Sequence, residues 1–164
     1  MQSKKDTMNN LLPRSVALAG IAYILFAPDL AHAISCRVTL VAMNFGIYTP
    51  MTTTHVDVMG QVNLRCQAQP GSFTVTISAG VSGDHSARTM LSATADILNY
   101  NLYRDAARTQ IWGDGSPPTF VVSGIRPNKG RPNFYNYPIY GRVFANQTPN
   151  AGLYNDDPMV TVLF

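Results

Sequence analysis

Apolar and polar residues alternate with a period of two along most of the chain after residue 34. The longest run covers residues 55–66, where Val56, Val58, Val62 and Leu64 share one parity. Successive side chains of a β-strand point to opposite faces, so a run of this kind predicts a strand with one buried face. Shorter runs cover residues 36–40, 73–79, 98–102, 120–122, 139–144 and 159–164. No segment longer than one turn has a helical period.

The composition agrees with strands rather than helices. The sequence contains no Glu, and Lys occurs only at Lys4, Lys5 and Lys129. Glu and Lys are strong helix formers that commonly cover exposed helix faces. Turn signals built from Gly, Pro, Asn and Asp separate the alternating runs. Many short strands at regular spacing predict an all-β fold, a single β-sandwich with two sheets around one core.

Residues 1–33 have the parts of a secretory signal peptide. Positive charge at Lys4, Lys5 and Arg14 precedes an apolar run over residues 16–26, and Ala31 and Ala33 supply the small residues of a cleavage site. We expect cleavage after Ala33, which leaves residues 34–164 as one mature, secreted domain with no membrane span. A membrane anchor is the alternative, but the apolar run is shorter than the roughly 20 residues that a bilayer requires. A lipoprotein signal ending at Cys36 fits the preceding residues poorly.

Two cysteines, Cys36 and Cys66, remain after the expected cleavage. An even number of cysteines in an exported chain favours a disulfide. The alternative is a metal site, but His55 and His85 lie far from the cysteines in sequence and give no zinc-like ligand spacing. We expect the disulfide and no metal.

The sequence offers little for catalysis or for nucleic-acid binding. Ser82, Asp84 and His85 are sequence neighbours, and a polar hairpin loop is favoured over a catalytic triad, whose members must converge in space. The adjacent Asp156 and Asp157 favour a solvated turn over a weak calcium site. The formal net charge is +3, but the arginines are scattered and form no dense basic stripe. We therefore expect a protein that is not an enzyme, with no catalytic residue, no cofactor and no nucleic-acid partner.

Aromatic residues give one candidate for ligand binding. Trp112, Tyr135 and Tyr137 are candidate contacts for a sugar ring, which would make the protein a sugar-binding surface adhesin. For Trp112, packing in the core is favoured. For Tyr135 and Tyr137 the two interpretations are evenly balanced, because Asn136 and Pro138 beside them suggest an exposed loop.

Several blocks, in this order, resemble the spore coat protein U domain family. They are Cys36, Phe45-Gly46-Ile47-Tyr48, Cys66, Ala87-Arg88-Thr89-Met90, Leu98-Asn99-Tyr100-Asn101-Leu102-Tyr103, Arg108-Thr109, Trp112-Gly113-Asp114-Gly115, Tyr140-Gly141-Arg142-Val143, Gln147, Gly152-Leu153-Tyr154 and Asp156-Asp157. The resemblance spans nearly all of residues 34–164. That family is similar to the pilins of archaic chaperone–usher pili.

The resemblance implies an immunoglobulin-like β-sandwich that is incomplete and is completed by a donor strand from a neighbour. It also implies a periplasmic chaperone, an outer-membrane usher and other pilin or coat subunits as partners. The resulting function is a structural subunit of a pilus or of a cell-surface or spore coat, with a role in adhesion or biofilm formation. Its location would be the periplasm in transit and then the cell surface.

The last alternating run is the expected assembly edge. Val160, Val162 and Phe164 share one parity there, and main-chain hydrogen bonds would join an added strand to this edge. If cleavage follows Ala33, only Ile34 and Ser35 precede Cys36, a reach of less than about 7 Å. We therefore expect a subunit that accepts a donor strand but does not give one.

Overall fold

The computed structural model describes residues 35–67, 70–127 and 131–164, and these residues form eight β-strands. The strands are β1 (Ser35–Val41), β2 (Val56–Gln67), β3 (Gly71–Ile77), β4 (Thr89–Leu91), β5 (Ile97–Tyr103), β6 (Val122–Arg126), β7 (Pro132–Val143) and β8 (Val160–Leu163). A single 3₁₀ turn covers Gly80–Ser82. The expected signal peptide, residues 1–33, lies outside the described residues. Among those described, no helix is long and apolar enough to cross a bilayer.

The strands form two antiparallel sheets. The larger sheet has the order β1-β2-β7-β5-β4, and the smaller one has the order β6-β3-β8. β2 and β7 pair along their full lengths, from Val56 opposite Val143 to Gln67 opposite Pro132. The order within each sheet differs from the order along the chain, so the core is built mainly from residues far apart in sequence.

The core lies between the inner faces of the two sheets. One parity of each long strand is buried, as the burial alternation of β2 and β3 shows. The most deeply buried apolar side chains are Val62, Leu64, Cys66, Phe73, Val75, Ile77, Leu102, Trp112 and Val143. A disulfide joins Cys36 of β1 to Cys66 of β2, as predicted. It ties the edge strand of the larger sheet to its neighbour.

The all-β prediction is confirmed, and the alternating runs correspond to β1, β2, β3, β5, β6, the end of β7 and β8. Two parts of the prediction need correction. β4 was not predicted, because three residues are too few to show a period. The predicted exposed loop around Tyr135 and Tyr137 is instead the first half of β7. Pro138 does not interrupt that strand, although proline cannot donate a main-chain hydrogen bond.

Candidate functional site

β8 is an edge strand in the described part of the chain, and it pairs only with β3. Just before β8, Ser78 N–H donates to the Met159 carbonyl at 2.9 Å, and Met159 N–H donates to Ser78 Oγ at 2.8 Å. Main-chain groups alternate in direction along an antiparallel pair, so those of Thr161 face β3. The main-chain groups of Val160 and Val162 therefore point away from β3, toward the open side.

Residues 42–48 form a second unpaired edge. β1 ends at Val41, and among the described residues the backbone of 42–48 makes no backbone–backbone hydrogen bond. Its alternate side chains Met43 and Phe45 nevertheless pack against the core. The Gly46 N–H donates to Asn44 Oδ1 at 2.8 Å. The segment is therefore held by side chains, and the rest of its main chain stays available for an added strand.

Two glycines on neighbouring strands explain why this segment fits so closely. A Cβ atom on Gly60 of β2 would lie 2.7 Å from Met43 Cγ, and one on Gly141 of β7 would lie 2.8 Å from Phe45 Cζ. Any larger residue at either place would push the segment outward. We call this pair of positions the glycine notch.

An apolar groove with a volume of about 890 Å³ is lined by residues 42–48 and by residues 149–158 and 160. The buried side chains that line its floor are aliphatic or Met except for Tyr100: Ile77, Met90, Leu98, Tyr100, Leu102, Ile139 and Val143. The groove thus combines an apolar floor with unpaired main chain in residues 42–48 and at β8. This is the arrangement that an added β-strand requires, because its main chain bonds to an edge while alternate side chains enter the floor.

A second region, around Arg88, is closed by the chain itself. The Arg88 side chain is fully buried and uses all three guanidinium nitrogens. Nε donates to the Ser78 carbonyl at 3.1 Å, and Nη1 donates to Asn101 Oδ1 at 2.7 Å. Nη2 donates to the carbonyls of Ser78 and Trp112, at 2.8 Å each, and of Ile77 at 3.2 Å.

Burial lowers the pKa of Arg88, because desolvation disfavours its charge. The four acceptors around the guanidinium offset that cost. They come from β3 and the residue after it, from β5, and from the loop that carries Trp112, so one side chain joins three parts of the chain. The sequence analysis quoted Arg88 only as part of a family motif and did not predict its burial.

The ligand-contact interpretation is wrong for Trp112. Its side chain has 0% relative exposure, and its indole N–H donates to the Val75 carbonyl at 3.0 Å. The residue fills the core, which was the favoured alternative, and offers no surface to a sugar ring.

Tyr135 and Tyr137 lie on the inner face of β7 and are half-buried. Their rings stack on each other with centroids 6.2 Å apart, and the ring of Phe73 meets Tyr135 edge-on at 4.8 Å. The Tyr135 hydroxyl donates to the Ile125 carbonyl at 2.6 Å. Burial raises the pKa of both hydroxyls. Both side chains therefore contribute to packing between the sheets.

In the polar loops that the sequence analysis weighed for catalysis and calcium binding, Ser82 and Asp156 form hydrogen bonds within the chain. Ser82 Oγ donates to the carbonyls of Ala79 and Asp84, at 3.0 Å each. The Asp156 carboxylate accepts from the Tyr100 hydroxyl at 2.6 Å and from Val81 N–H at 2.9 Å. Asp156 thus ties the segment before β8 to β5 and to the 3₁₀ turn.

Of the predicted assembly edge, Val160 and Val162 pack against the core beside the groove. Phe164 follows β8, and its ring lies 4.9 Å from the Arg126 guanidinium. The sequence analysis missed residues 42–48 and the glycine notch. The alternation of Met43 and Phe45 was a signal for the segment, but no local pattern shows that Gly60 and Gly141 face it.

The fold and the groove define an all-β sandwich with an open apolar side. Residues 23–162 match the Spore Coat Protein U domain family, and the chain belongs to that family. Protein U of Myxococcus xanthus is 31% identical over 133 residues, which is 74% of this chain and 71% of the relative.

A similar solved structure is the CsuC–CsuE chaperone–tip adhesion subunit pre-assembly complex from the archaic chaperone–usher Csu pili of Acinetobacter baumannii. The TM-score is 0.57 at 23% identity, and the match covers 80% of this chain and 40% of that chain. This likeness concerns the fold.

Proposed function

We propose that this protein is a secreted, non-catalytic structural subunit of a chaperone–usher pilus or surface coat, which accepts an extended strand into its groove. The observation that carries the proposal is the apolar floor lined by the unpaired edges at residues 42–48 and β8. Membership of the Spore Coat Protein U domain family supports it. A periplasmic chaperone, an usher and neighbouring subunits are the partners that this function requires.

The open groove also supplies the physical reason for a chaperone. An exposed strand edge beside an apolar surface invites pairing with the wrong chain. A strand lent by a chaperone during export would cover Val160, Val162 and the apolar floor until a subunit replaces it. An adhesion or biofilm role at the cell surface is part of the proposal, as is removal of residues 1–33 during export.

The assembly edge is tested by removing one outward main-chain donor. In the Val162→Pro variant the N–H that points away from β3 is lost, while a side chain of similar size remains. Proline is tolerated on an edge strand where its nitrogen does not bond to the neighbour. Co-purification with a co-expressed periplasmic chaperone of an archaic chaperone–usher system should fall by about tenfold or more.

Val162→Ala is the matched control, because it keeps the N–H and removes apolar volume. We expect its chaperone capture to stay within about threefold of the unchanged protein. Thermal unfolding of both variants separates loss of binding from loss of fold. Equal capture of the proline and alanine variants, with both folded, would contradict strand addition at β8.

A further inference from the structure

One end of the sandwich carries uncompensated positive charge. In the β1-β2-β7 register, Arg37 lies opposite Arg65, and Arg65 lies opposite Phe134. Arg126 ends β6, opposite Gly71 at the start of β3, and Arg131 immediately precedes β7. β2 and β6 end, and β3 and β7 begin, at this same end. We call Arg37, Arg65, Arg126 and Arg131 the basic end.

No carboxylate among the described residues neutralises this end. The ion pairs in the described ranges both use Asp57, with Arg108 at 3.3 Å and with Arg142 at 2.7 Å. Asp57 lies eight positions before Arg65 on the same strand, about 26 Å away at 3.3 Å per residue. Directly opposed like charges on paired strands are unfavourable, so Arg37 and Arg65 leave a positive potential that an outside group can lower.

Arg126 is buried at the same end and adds to its positive electrostatic potential. Its side chain is 4% exposed, and its Nε and Nη1 have no hydrogen-bond partner in the described part of the structure. The basic end also exposes two large apolar side chains, Ile125 at 71% and Phe134 at 68%. Arginine and aromatic residues of this kind are enriched at protein interfaces.

Aspartates gather at the opposite end of the strands. The loops there carry Asp84, Asp96, Asp114, Asp156 and Asp157, which we call the acidic end. These loops contact one another: Asp156 accepts from Val81 N–H, and Asp96 accepts from Asn150 Nδ2 at 2.6 Å. No arginine among the described residues forms an ion pair with any of these carboxylates. Asp84, Asp114 and Asp157 are exposed.

From this separation we infer that copies of this chain associate end to end, with the basic end of one against the acidic end of the next. The occupant of the basic end is a second copy, because the same chain supplies the complementary carboxylates in a matching number of exposed groups. Val81, which is 55% exposed beside Asp84, gives the acidic end an apolar contact for Phe134 or Ile125. This contact joins two ends by charge and adds no strand to β8, although Asp156 and Asp157 also line the groove. It therefore goes beyond the proposed function.

The test uses the disulfide-bonded protein purified from the periplasm, analysed by sedimentation velocity. Attraction between exposed charges weakens as salt shortens the screening length, from about 10 Å at 0.1 M to about 3 Å at 1 M. We expect self-association that weakens at least tenfold between low salt and 1 M NaCl. Two charge-reversed variants, Arg37→Glu/Arg65→Glu and Asp84→Lys/Asp157→Lys, should each lose at least tenfold in self-association at low salt.

Mixing the two variants gives the decisive result. The first variant keeps an unchanged acidic end and the second keeps an unchanged basic end, so an equimolar mixture should form mixed pairs through these two ends at low salt. A merely misfolded variant would not recover on mixing. Met59→Glu/Gln61→Glu, in the middle of β2, adds two negative charges six and four positions before Arg65, about 20 and 13 Å away along the strand, and should associate like the unchanged protein.

Association that does not depend on salt, or a mixture that stays dissociated, would overturn the inference. Either result would leave strand addition untouched, because chaperone capture is measured separately. Loss of association in Met59→Glu/Gln61→Glu equal to that in the arginine variant would also overturn it, since the change in net charge alone would then explain the loss.

Discussion

Around Arg88 the core is closed by the chain itself, whereas beside β8 the core is left open. The buried guanidinium of Arg88 donates to four acceptors and leaves none of its nitrogens unpaired. The groove has an apolar floor, with unpaired main chain in residues 42–48 and at β8. A buried polar group costs free energy unless it is bonded, so the closed region has one stable arrangement. Under the proposed function, the open region reaches a comparable state when a strand from a second chain is added.

The two regions should also control different properties: the closed region controls stability, and the open region controls capture of a strand. Damage at Arg88 should lower the free energy of unfolding, because its bonds hold β3, β5 and the Trp112 loop together. Damage at the glycine notch should chiefly lower strand capture, because that notch positions an edge of the groove. Four predictions follow this division, from the largest expected effect to the smallest.

Replacing Arg88 with Met should have the largest effect. Met fills a similar space but removes the donor to the Ser78, Ile77 and Trp112 carbonyls. Asn101 Oδ1 keeps only its bond from the Leu102 N–H. Each buried unpaired group costs about 1–3 kcal/mol, so the unfolding free energy should fall by more than about 3 kcal/mol. Urea denaturation of the disulfide-bonded protein measures this change.

The exposed Arg37→Met variant is the control, and it should stay within about 0.5 kcal/mol of the unchanged protein. A small effect of Arg88→Met, equal to that of Arg37→Met, would mean that the guanidinium network does not hold the closed region together.

Replacing Gly141 with Ala tests the glycine notch. The added Cβ would lie 2.8 Å from Phe45 Cζ, so residues 42–48 must move outward. Overpacking of this kind costs about 1–3 kcal/mol, and chaperone capture should fall by about tenfold. Gly152→Ala is the matched control for stability and should leave the unfolding free energy unchanged, since the nearest atom to its added Cβ is 3.7 Å away.

Phe45→Ala makes room for the added methyl group, so Gly141→Ala should cost little stability in a Phe45→Ala background. In the double-mutant cycle, the interaction free energy would then have the opposite sign to the destabilisation that each single substitution causes. Independent, additive effects of the two substitutions would exclude direct contact between Phe45 and position 141.

Tyr100 links the closed region to the segment before β8, and it should make stability depend on alkaline pH. Burial and the Asp156 carboxylate raise the pKa of Tyr100, above the ordinary value near 10. Above about pH 10 the unfolded chain releases this proton while the folded protein keeps it. The folded state then binds more protons, so stability falls as pH rises.

The Tyr100→Phe variant should lose about 1 kcal/mol near pH 7, through the missing bond to Asp156. Between pH 10 and 11.5, the unfolding free energy should fall less steeply with pH for Tyr100→Phe than for the unchanged protein. The two slopes should differ by about 1.4 kcal/mol per pH unit. Chemical denaturation at several pH values measures both slopes. Parallel slopes would contradict a buried, protonated Tyr100.

Asp57 should show the smallest effect, because its ion pairs lie on the outer face of the larger sheet. The Arg142 guanidinium, at 2.7 Å, lowers the pKa of Asp57. The ion pair therefore stabilises the fold above the pKa that Asp57 has in the unfolded chain, near 3.9. This stabilisation is lost as the pH falls through the lower pKa of Asp57 in the folded protein. Asp57→Asn should cost about 1 kcal/mol or less at pH 7. The difference in unfolding free energy between Asp57→Asn and the unchanged protein should shrink in 1 M NaCl. A difference that salt does not change would argue against an ion pair.

The sequence by itself determined the all-β class, the position of most strands and the family. The reason is that the period-two pattern is local: the buried parity of β2 can be read from Val56 to Cys66 without knowing any partner. The pairing of Cys36 with Cys66 was likewise predictable, since the chain after residue 34 contains no other cysteine. Part of the site followed as well, because the last alternating run became the edge strand β8.

Only the tertiary structure shows that the chain covers the core around Arg88 and leaves it open beside β8. Arg88 is a charged residue that sequence rules place at the surface, and its burial depends on carbonyls 10 to 24 positions away. The first half of β7 contains Asn136 and Pro138, which mark a loop locally, yet pairing with the whole of β2 makes it a strand. The notch for Phe45 exists because Gly141 lies 96 positions later in the chain and reaches it only through sheet order. Contacts between residues so far apart in sequence produce no periodic pattern along the chain. The groove could therefore be identified only in the folded structure.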